Sequence, residues 1–346
     1  MKKLLLVLLL CLSCFALFAC ANQGTDADTP DGSDAAEGDA AVEEANVVLQ
    51  ICHVEAETDS LQTQGLAFGE YVKEQSNGTI TVEMYPNSEM GDDNATTEAV
   101  TLGTVAMSLP GTSQAAMYAS DFGICDMPYI FTSYEQAFEM LDGELGDALN
   151  AELEGTGLKN LGFYLIGERN VSNNVRPINT PEDMKGLDIR CMESPVYISM
   201  FKAMGANPTP MAFSELYTAM SNGTVDGEDN PASVFYTSKF QEVQKYYSLT
   251  GHTYSFGCVL ISETLWNSLS ENQQNIIQEG VKTYLIDGQR QKKIDETDHY
   301  LELIEAEGCA VNEVSEENKA LFKEAVQPVY DELHDTISDE IWALVE

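Results

Sequence analysis

Ile178-Asn179-Thr180-Pro181-Glu182-Asp183-Met184-Lys185-Gly186-Leu187-Asp188-Ile189-Arg190 reads as a short helix followed by a strand. Thr180 offers a capping hydroxyl, and Pro181 suits the first helical position because its φ is already set and its missing N–H would go unpaired there. Gly186 stops the helix, and Leu187 to Arg190 forms the strand. The strand therefore ends on an arginine. In open α/β sheets ligands lie beyond the carboxyl ends of strands, so Arg190 stands where a ligand would be met.

The same rhythm runs upstream. Val47 to His53 suits a buried strand, Ser60 to Glu74 an amphipathic helix, and Asn77-Gly78 a turn. Thr79 to Tyr85 alternates, with Ile80, Val82 and Met84 on one face and Thr81 and Glu83 on the other, until Pro86. Thr96 to Leu102 reads as a helix closed by Gly103, Val105 to Leu109 as a strand, and Asn160 to Ile166 as another. Strand, helix, strand in repetition is the mark of an α/β fold with parallel strands. Ser214 is placed to cap a helix carrying Leu216, Tyr217 and Met220, which stops at Asn222-Gly223. Ser270 with Gln273 makes a capping box. No proline interrupts Glu271 to Gly308, a helix of about 55 Å at 1.5 Å per residue, enough to span two lobes. Gly280 and Gly288 are its expected bends.

The 346 residues carry 17 Lys+Arg against 57 Asp+Glu, a formal charge of −40, and suffice for two lobes. Such a surface repels nucleic acid and anionic lipid. It also repels an anionic ligand unless positive charge is placed locally, so the few arginines matter. Arg169, in Gly167-Glu168-Arg169, directly follows the strand ending at Ile166. Guanidinium suits a carboxylate because its paired donors match two oxygens. Taken alone, either arginine is equally at home in a surface salt bridge.

Residues 1–19 have the form of a lipoprotein signal: Lys2-Lys3, an apolar run from Leu4 to Phe18, and Cys20 as the lipidated residue. Residues 20–46 follow as a disordered acidic tether, with eight acidic and no basic residues from Gln23 to Asn46. Cys52, Cys125, Cys191, Cys258 and Cys309 are too irregularly spaced for a disulfide framework or a zinc site and read as small buried hydrophobes, with one bridged pair left open. No cofactor or metal is expected.

The stretch from Ile178 to Arg190 continues into Met204-Gly205-Ala206-Asn207-Pro208-Thr209-Pro210, Phe213-Ser214-Glu215-Leu216-Tyr217, Gly223-Thr224-Val225-Asp226-Gly227-Glu228-Asp229-Asn230-Pro231 and Gln244-Lys245-Tyr246 to His252. With Tyr85-Pro86, Met90-Gly91-Asp92-Asp93 and Met127-Pro128-Tyr129 upstream, this series resembles the solute-binding proteins of tripartite ATP-independent periplasmic (TRAP) transporters. The similarity runs from about Leu49 into the long helix.

The resemblance implies a two-lobed, periplasmic-binding-protein-like α/β fold with mixed sheets, hinge strands and a lobe-spanning helix. Lobe I would comprise 47–166 with 256–295, and lobe II 167–255 with 296–346. It also implies that Arg190 salt-bridges a ligand carboxylate, that Arg169 supports it, and that Asn230 hydrogen-bonds the same group. Phe213 matches an aromatic that packs on the ligand, though helix-entry packing fits it as well. Asp93 matches a first-lobe contact to polar ligand atoms, but a helix N-cap is its plainer and preferred reading. Glu57, Glu193 and His252 are candidates to line the site; a solvated pair of glutamates and a structural histidine are their plainer readings. Val54, Gly111 and Gln114 replace the polar first-lobe groups of sialic-acid-binding members, which argues against sialic acid.

The expected function is capture of a small organic carboxylate and its delivery by hinge closure to the integral membrane subunits of a TRAP transporter. The protein would be a monomer, anchored at the extracytoplasmic face of the membrane only through its lipid. C4-dicarboxylates, sugar acids, 2-oxo acids and aromatic carboxylates all remain open. No nucleophile elbow, metal-spaced histidine set or Cys–His pair is visible, so an exported hydrolase is disfavoured and no enzyme is expected. A receptor for an ATP-driven importer shares the two-lobe logic but does not account for the Gly186–Arg190 and Gly227–Pro231 segments together. A structural lipoprotein has no use for two arginines in a cleft.

Overall fold

The computed structural model describes residues 44–345. The signal segment, Cys20 and the tether as far as residue 43 lie outside the described residues. The last part of the expected tether is ordered: Glu44 accepts from Ser270 Oγ at 2.5 Å and Ala45 O from Gln273 Nε2 at 2.9 Å. The folded body thus begins a few residues earlier than the hydrophobic pattern indicated, because polar bonds rather than apolar burial hold that edge.

Among the described residues nine strands form one mixed sheet. They are β1 Val47–Cys52, β2 Ile80–Tyr85, β3 Met107–Ser108, β4 Leu158–Asn173, β5 Asp188–Cys191, β6 Asn207–Pro210, β7 Gly227–Asn230, β8 Tyr246–Ser262 and β9 Ala310–Glu313. β1 lies between β2 and β3, all parallel, and β5 pairs in parallel with β6 and β7. The long strands β4 and β8 run antiparallel and join the two groups: β3 pairs with the carboxyl end of β8, whereas β7 pairs with the carboxyl end of β4. The parallel rhythm read from the sequence holds inside each group, and these antiparallel joints make the sheet mixed.

β4 is longer than its predicted core. It continues past Ile166 to Asn173, so Arg169 sits inside a strand rather than after one. Periodicity missed the extension because β4 changes register against β8 between Leu165 and Gly167 and again between Arg169 and Val171. Such bulges re-aim side chains and break the alternation by which a strand is recognised. At Gly167 the first irregularity requires glycine: φ is +133°, and a Cβ would lie 2.7 Å from that of Pro231.

The Ser270–Gln273 capping box is present, and the long helical run carries both expected glycines as internal boundaries. It is α-helical over Glu271–Gly280, widens to a π-helix over Val281–Gly288, and returns to α over Gln289–Asp295 before Thr297–Ala306. Gly280 permits close packing on the helix Ser60–Gln75, since a Cβ there would meet the Phe68 and Tyr71 rings at 2.9 Å. Gln289 reaches the β4 irregularity directly. Its Nε2 donates to Leu165 O at 2.8 Å and its Oε1 accepts from Leu165 N at 3.0 Å, pairing the edge of β4 that β7, which meets only Asn170–Asn173, does not reach. The chain's end packs on two separate helices: Gln327–Leu333 on the helix Pro195–Ala203, and Asp339–Val345 on the helix Glu144–Ala151, with Ser338 donating to Asp121.

Gln289→Met keeps the volume but leaves the Leu165 N–H and C=O buried and unpaired, at a cost of about 1–3 kcal/mol for each group. Urea unfolding should show a loss of at least about 2 kcal/mol. A change within about 0.5 kcal/mol, ordinary for a surface substitution, would contradict this role for Gln289.

Candidate functional site

The carboxyl ends of the parallel strands in both groups converge on one cavity. From the β1 side come Val54 and Glu55 after β1, Asp93 and Asn94 at a helix start, and Gly111 and Gln114 after β3. From the β5 side come Arg190 near the end of β5 with Met192 and Glu193, Met211 to Phe213 after β6, and Asn230 ending β7. β4 forms the floor with Tyr164, Ile166 and Arg169. Water centres have about 50 Å³ of this cavity, against roughly 10–15 Å³ for a single water. That is room for a small molecule in a closed site.

The two arginines are both buried but differently bound. Arg169, 2 % exposed, donates through Nε to Asp229 Oδ2 at 2.5 Å and through Nη2 to the Asp229 carbonyl. Burial works against its charge, and the Asp229 carboxylate outweighs burial, so its pKa stands above the ordinary arginine value. Behind this pair, His252 places Nε2 3.2 Å from Asp229 Oδ2 and Nδ1 2.8 Å from Thr250 Oγ1. Arg190, 3 % exposed, has no carboxylate within salt-bridge distance among the described residues. Its Nε and Nη2 donate to Met211 O at 3.1 and 2.9 Å, and its Cζ lies 5.8 Å from the Phe213 ring centre. Burial, reinforced by the neighbouring Arg169, pulls its pKa below the ordinary value.

Of the residues singled out from the sequence, Arg190, Arg169, Asn230, Phe213, Asp93 and Glu193 line the cavity, as do Val54, Gly111 and Gln114. Asn230 gives one amide hydrogen to Glu228 Oε2. Asp93 is not a helix cap: Asp92 caps that helix by accepting from Ala95 N at 2.9 Å, and Asp93 is its first residue. Glu193, at the exposed rim, accepts from Asn94 Nδ2 at 2.9 Å and thereby ties the two sides of the cavity together. Ser214 is not the cap of its helix, which starts one residue earlier at Phe213.

Two candidates fall outside. Glu57 is exposed and not in the lining; Glu55, two residues earlier, takes that place. His252 is fully buried behind Arg169, held through both ring nitrogens. Glu55 lies three residues past β1, in the region the strand-end rule marks, but that rule does not choose between it and Glu57. Tyr164 and Ile166 were not legible, since their inward aim depends on the β4 bulges. The five cysteines are buried and unpaired.

Several buried carboxyls are held toward their neutral form. Burial and then Asp59 push Glu55 up to about 8, and burial and then Asp92 push Asp93 up to about 7. Burial is also the largest cause for Asp126 and Glu228, each raised to about 7.

A body of this kind, in which the carboxyl ends of two groups of parallel strands face one cavity that holds two buried arginines, has the architecture of a two-lobed solute-binding protein. The model of the family "Bacterial extracellular solute-binding protein, family 7" matches residues 51–336, and the chain belongs to that family. The 2,3-diketo-L-gulonate-binding periplasmic protein of Escherichia coli is 37% identical over 230 residues, 66% of this chain and 70% of that relative. The C4-dicarboxylate-binding periplasmic protein of Rhodobacter capsulatus is 33% identical over 305 residues, 87% of this chain and 90% of that protein. The crystal structure of a sugar acid binding protein from Advenella mimigardefordensis with galactonate superposes with a TM-score of 0.85 at 29% identity, covering 88% of this chain and 98% of that one. A TRAP periplasmic solute-binding protein from Sulfurospirillum deleyianum with bound succinate gives 0.82 at 30% identity, covering 87% and 98%. Among the described residues no helix is long and apolar enough to cross a membrane.

The raised carboxyls set a pH dependence. From about pH 4.5 to 7 each such group, and Glu55 up to about 8, keeps a proton in the folded chain that the unfolded chain has released, so this stability is lost as pH rises through about 7 to 8. Lowering the pH of the ligand-free protein from about 8.5 to 6.5 should raise Tm by at least about 2 °C in calorimetry. A Tm that stays level or drops over that window would contradict the assignment.

Proposed function

We propose that this chain is the extracytoplasmic receptor of a TRAP transporter, and that its ligand is a small organic carboxylate docked on Arg190. The observation that carries this reading is the buried guanidinium of Arg190, oriented by a backbone carbonyl yet given no counter-charge by the protein. A buried charge without a partner is costly, and a ligand carboxylate supplies the missing anion through paired hydrogen bonds. Arg169, already neutralised by Asp229, adds field and rigidity; Asn230 offers a second donor and Phe213 an apolar wall. The acids bound by the two structural relatives, galactonate and succinate, support the same chemistry.

In this reading the lobes meet where β4 and β8 cross, near residues 166–167 and 255–256. Closure swings the β1 side onto the β5 side, the Asn94–Glu193 bond latches the rim, and the closed form is what the membrane subunits recognise. The protein acts as a monomer held to the membrane by a lipid on Cys20. It performs no chemistry on the ligand, and His252 serves to brace Asp229.

Arg190→Ala should weaken binding of the cognate carboxylate by about thirtyfold or more in calorimetry, as expected for truncating one partner of a buried charge pair, with urea unfolding still cooperative. Arg190→Lys should fall between, because an ammonium cannot make the paired contact. Affinity of Arg190→Ala within about threefold of the native chain would overturn the reading.

A further inference from the structure

Beside Val54, Gly111 and Gln114, the β1 side of the cavity carries hydrogen-bond acceptors left without partners. Glu55, 7 % exposed, has its Oε2 buried with no partner. Asn94 spends its Nδ2 on Glu193, which leaves its Oδ1 buried and unpartnered as well. Asp93 stands beside them at the start of the helix Asp93–Thr101. A cavity with a guanidinium that no carboxylate contacts on one side, and unpartnered acceptor oxygens of Glu55 and Asn94 on the other, is complementary to a molecule carrying both a carboxylate and hydroxyls. We propose that the site selects a hydroxylated monocarboxylate, with its carboxylate on Arg190 and its hydroxyls donating to Glu55, Asp93 and Asn94, over a dicarboxylate of the same length. This rests on the carboxylate reading of Arg190 and narrows it.

Selection works in both directions. Hydroxyls satisfy the orphaned acceptors, and an acid lacking them leaves those groups buried and unpaired, which is how polar sites reject analogues most strongly. A second carboxylate brings like charge against Glu55 and Asp93. The charged groups felt by Glu55 are Asp59, Lys293, Asp93 and Arg169, and those felt by Asp93 are Asp92 and Arg190. With these two carboxyls held up to about 8 and 7, a dicarboxylate enters only with proton uptake, so its affinity falls as pH rises through that range. An ammonium tail needs the carboxyls ionised and tightens over the same range. A hydroxyl donates to a carboxyl oxygen in either state, so a hydroxy acid binds with little pH dependence.

The test is calorimetry on the full chain with length-matched probes, D-erythronate against succinate and D-gluconate against adipate, at about pH 6 and 8.5. In at least one pair the hydroxy acid should bind about ten- to a hundredfold more tightly at the higher pH, the order expected for hydrogen bonds to charged groups. Its affinity should change less than threefold between the two pH values. Glu55→Gln should cut the preference about tenfold, because it exchanges an acceptor oxygen for a donor. A dicarboxylate equal to or tighter than its hydroxy partner at the higher pH, or a preference unmoved by Glu55→Gln, overturns the inference. Binding that survives Arg190→Ala instead overturns the underlying carboxylate reading, and binding by neither pair overturns both.

Discussion

A buried positive charge that the protein leaves uncompensated is the constraint around which the rest of this structure is arranged. In a chain of net charge −40, pairing an arginine is easy, and Arg169 shows it: Asp229 meets it at 2.5 Å. Arg190 is as well buried and meets only the carbonyl of Met211. That carbonyl fixes the direction of the fork but cannot neutralise it. Arg169 sharpens the contrast, since its field lowers the pKa of Arg190 while its own charge is absorbed by Asp229. The result is a locally positive pocket inside a molecule which repels anions at long range, the setting the proposed carboxylate needs.

Holding such a site requires the backbone to depart from regular geometry. β4 changes register on both sides of Arg169, which turns the arginine and Ile166 toward the cavity within one strand. Gln289, on the turn that follows the π-helical segment, pairs the edge of β4 that β7 leaves uncovered at Leu165, and Gly167 admits Pro231 and hence the end of β7. The irregularities of β4, the π-helix and the glycines are thus one arrangement. It brings carboxyl ends from two strand groups to face each other across β4 and β8, the same strands that would bend during closure.

Much of this was legible in the sequence, and the exceptions have physical causes. The strand expected at Leu187–Arg190 and found one residue on at Asp188–Cys191, the Ser270–Gln273 box and the alternation of β2 depend on local rules and are legible directly. Arg190 was found because a strand-end arginine in an acidic chain is conspicuous, and the family resemblance then placed Arg169, Asn230 and Phe213 with it. The extension of β4 was hidden because bulges destroy alternation. Glu57 was taken for Glu55 because a loop has no period to fix which acidic residue turns inward. His252 lay correctly near the site in sequence but sits one layer behind it, braced to Asp229, which only the three-dimensional contacts reveal. The return of Asp339–Val345 to the helix Glu144–Ala151 is a long-range packing choice with no local signal.

The most direct measurement is the electron density of a crystal of the protein grown with the carboxylate it binds. The account predicts a carboxylate with both oxygens about 2.7–2.9 Å from the Arg190 guanidinium, and the remainder of the molecule reaching toward Glu55 and Asp93. Density for a ligand whose carboxylate lies elsewhere, with Arg190 still bonded only to the Met211 carbonyl, would contradict it.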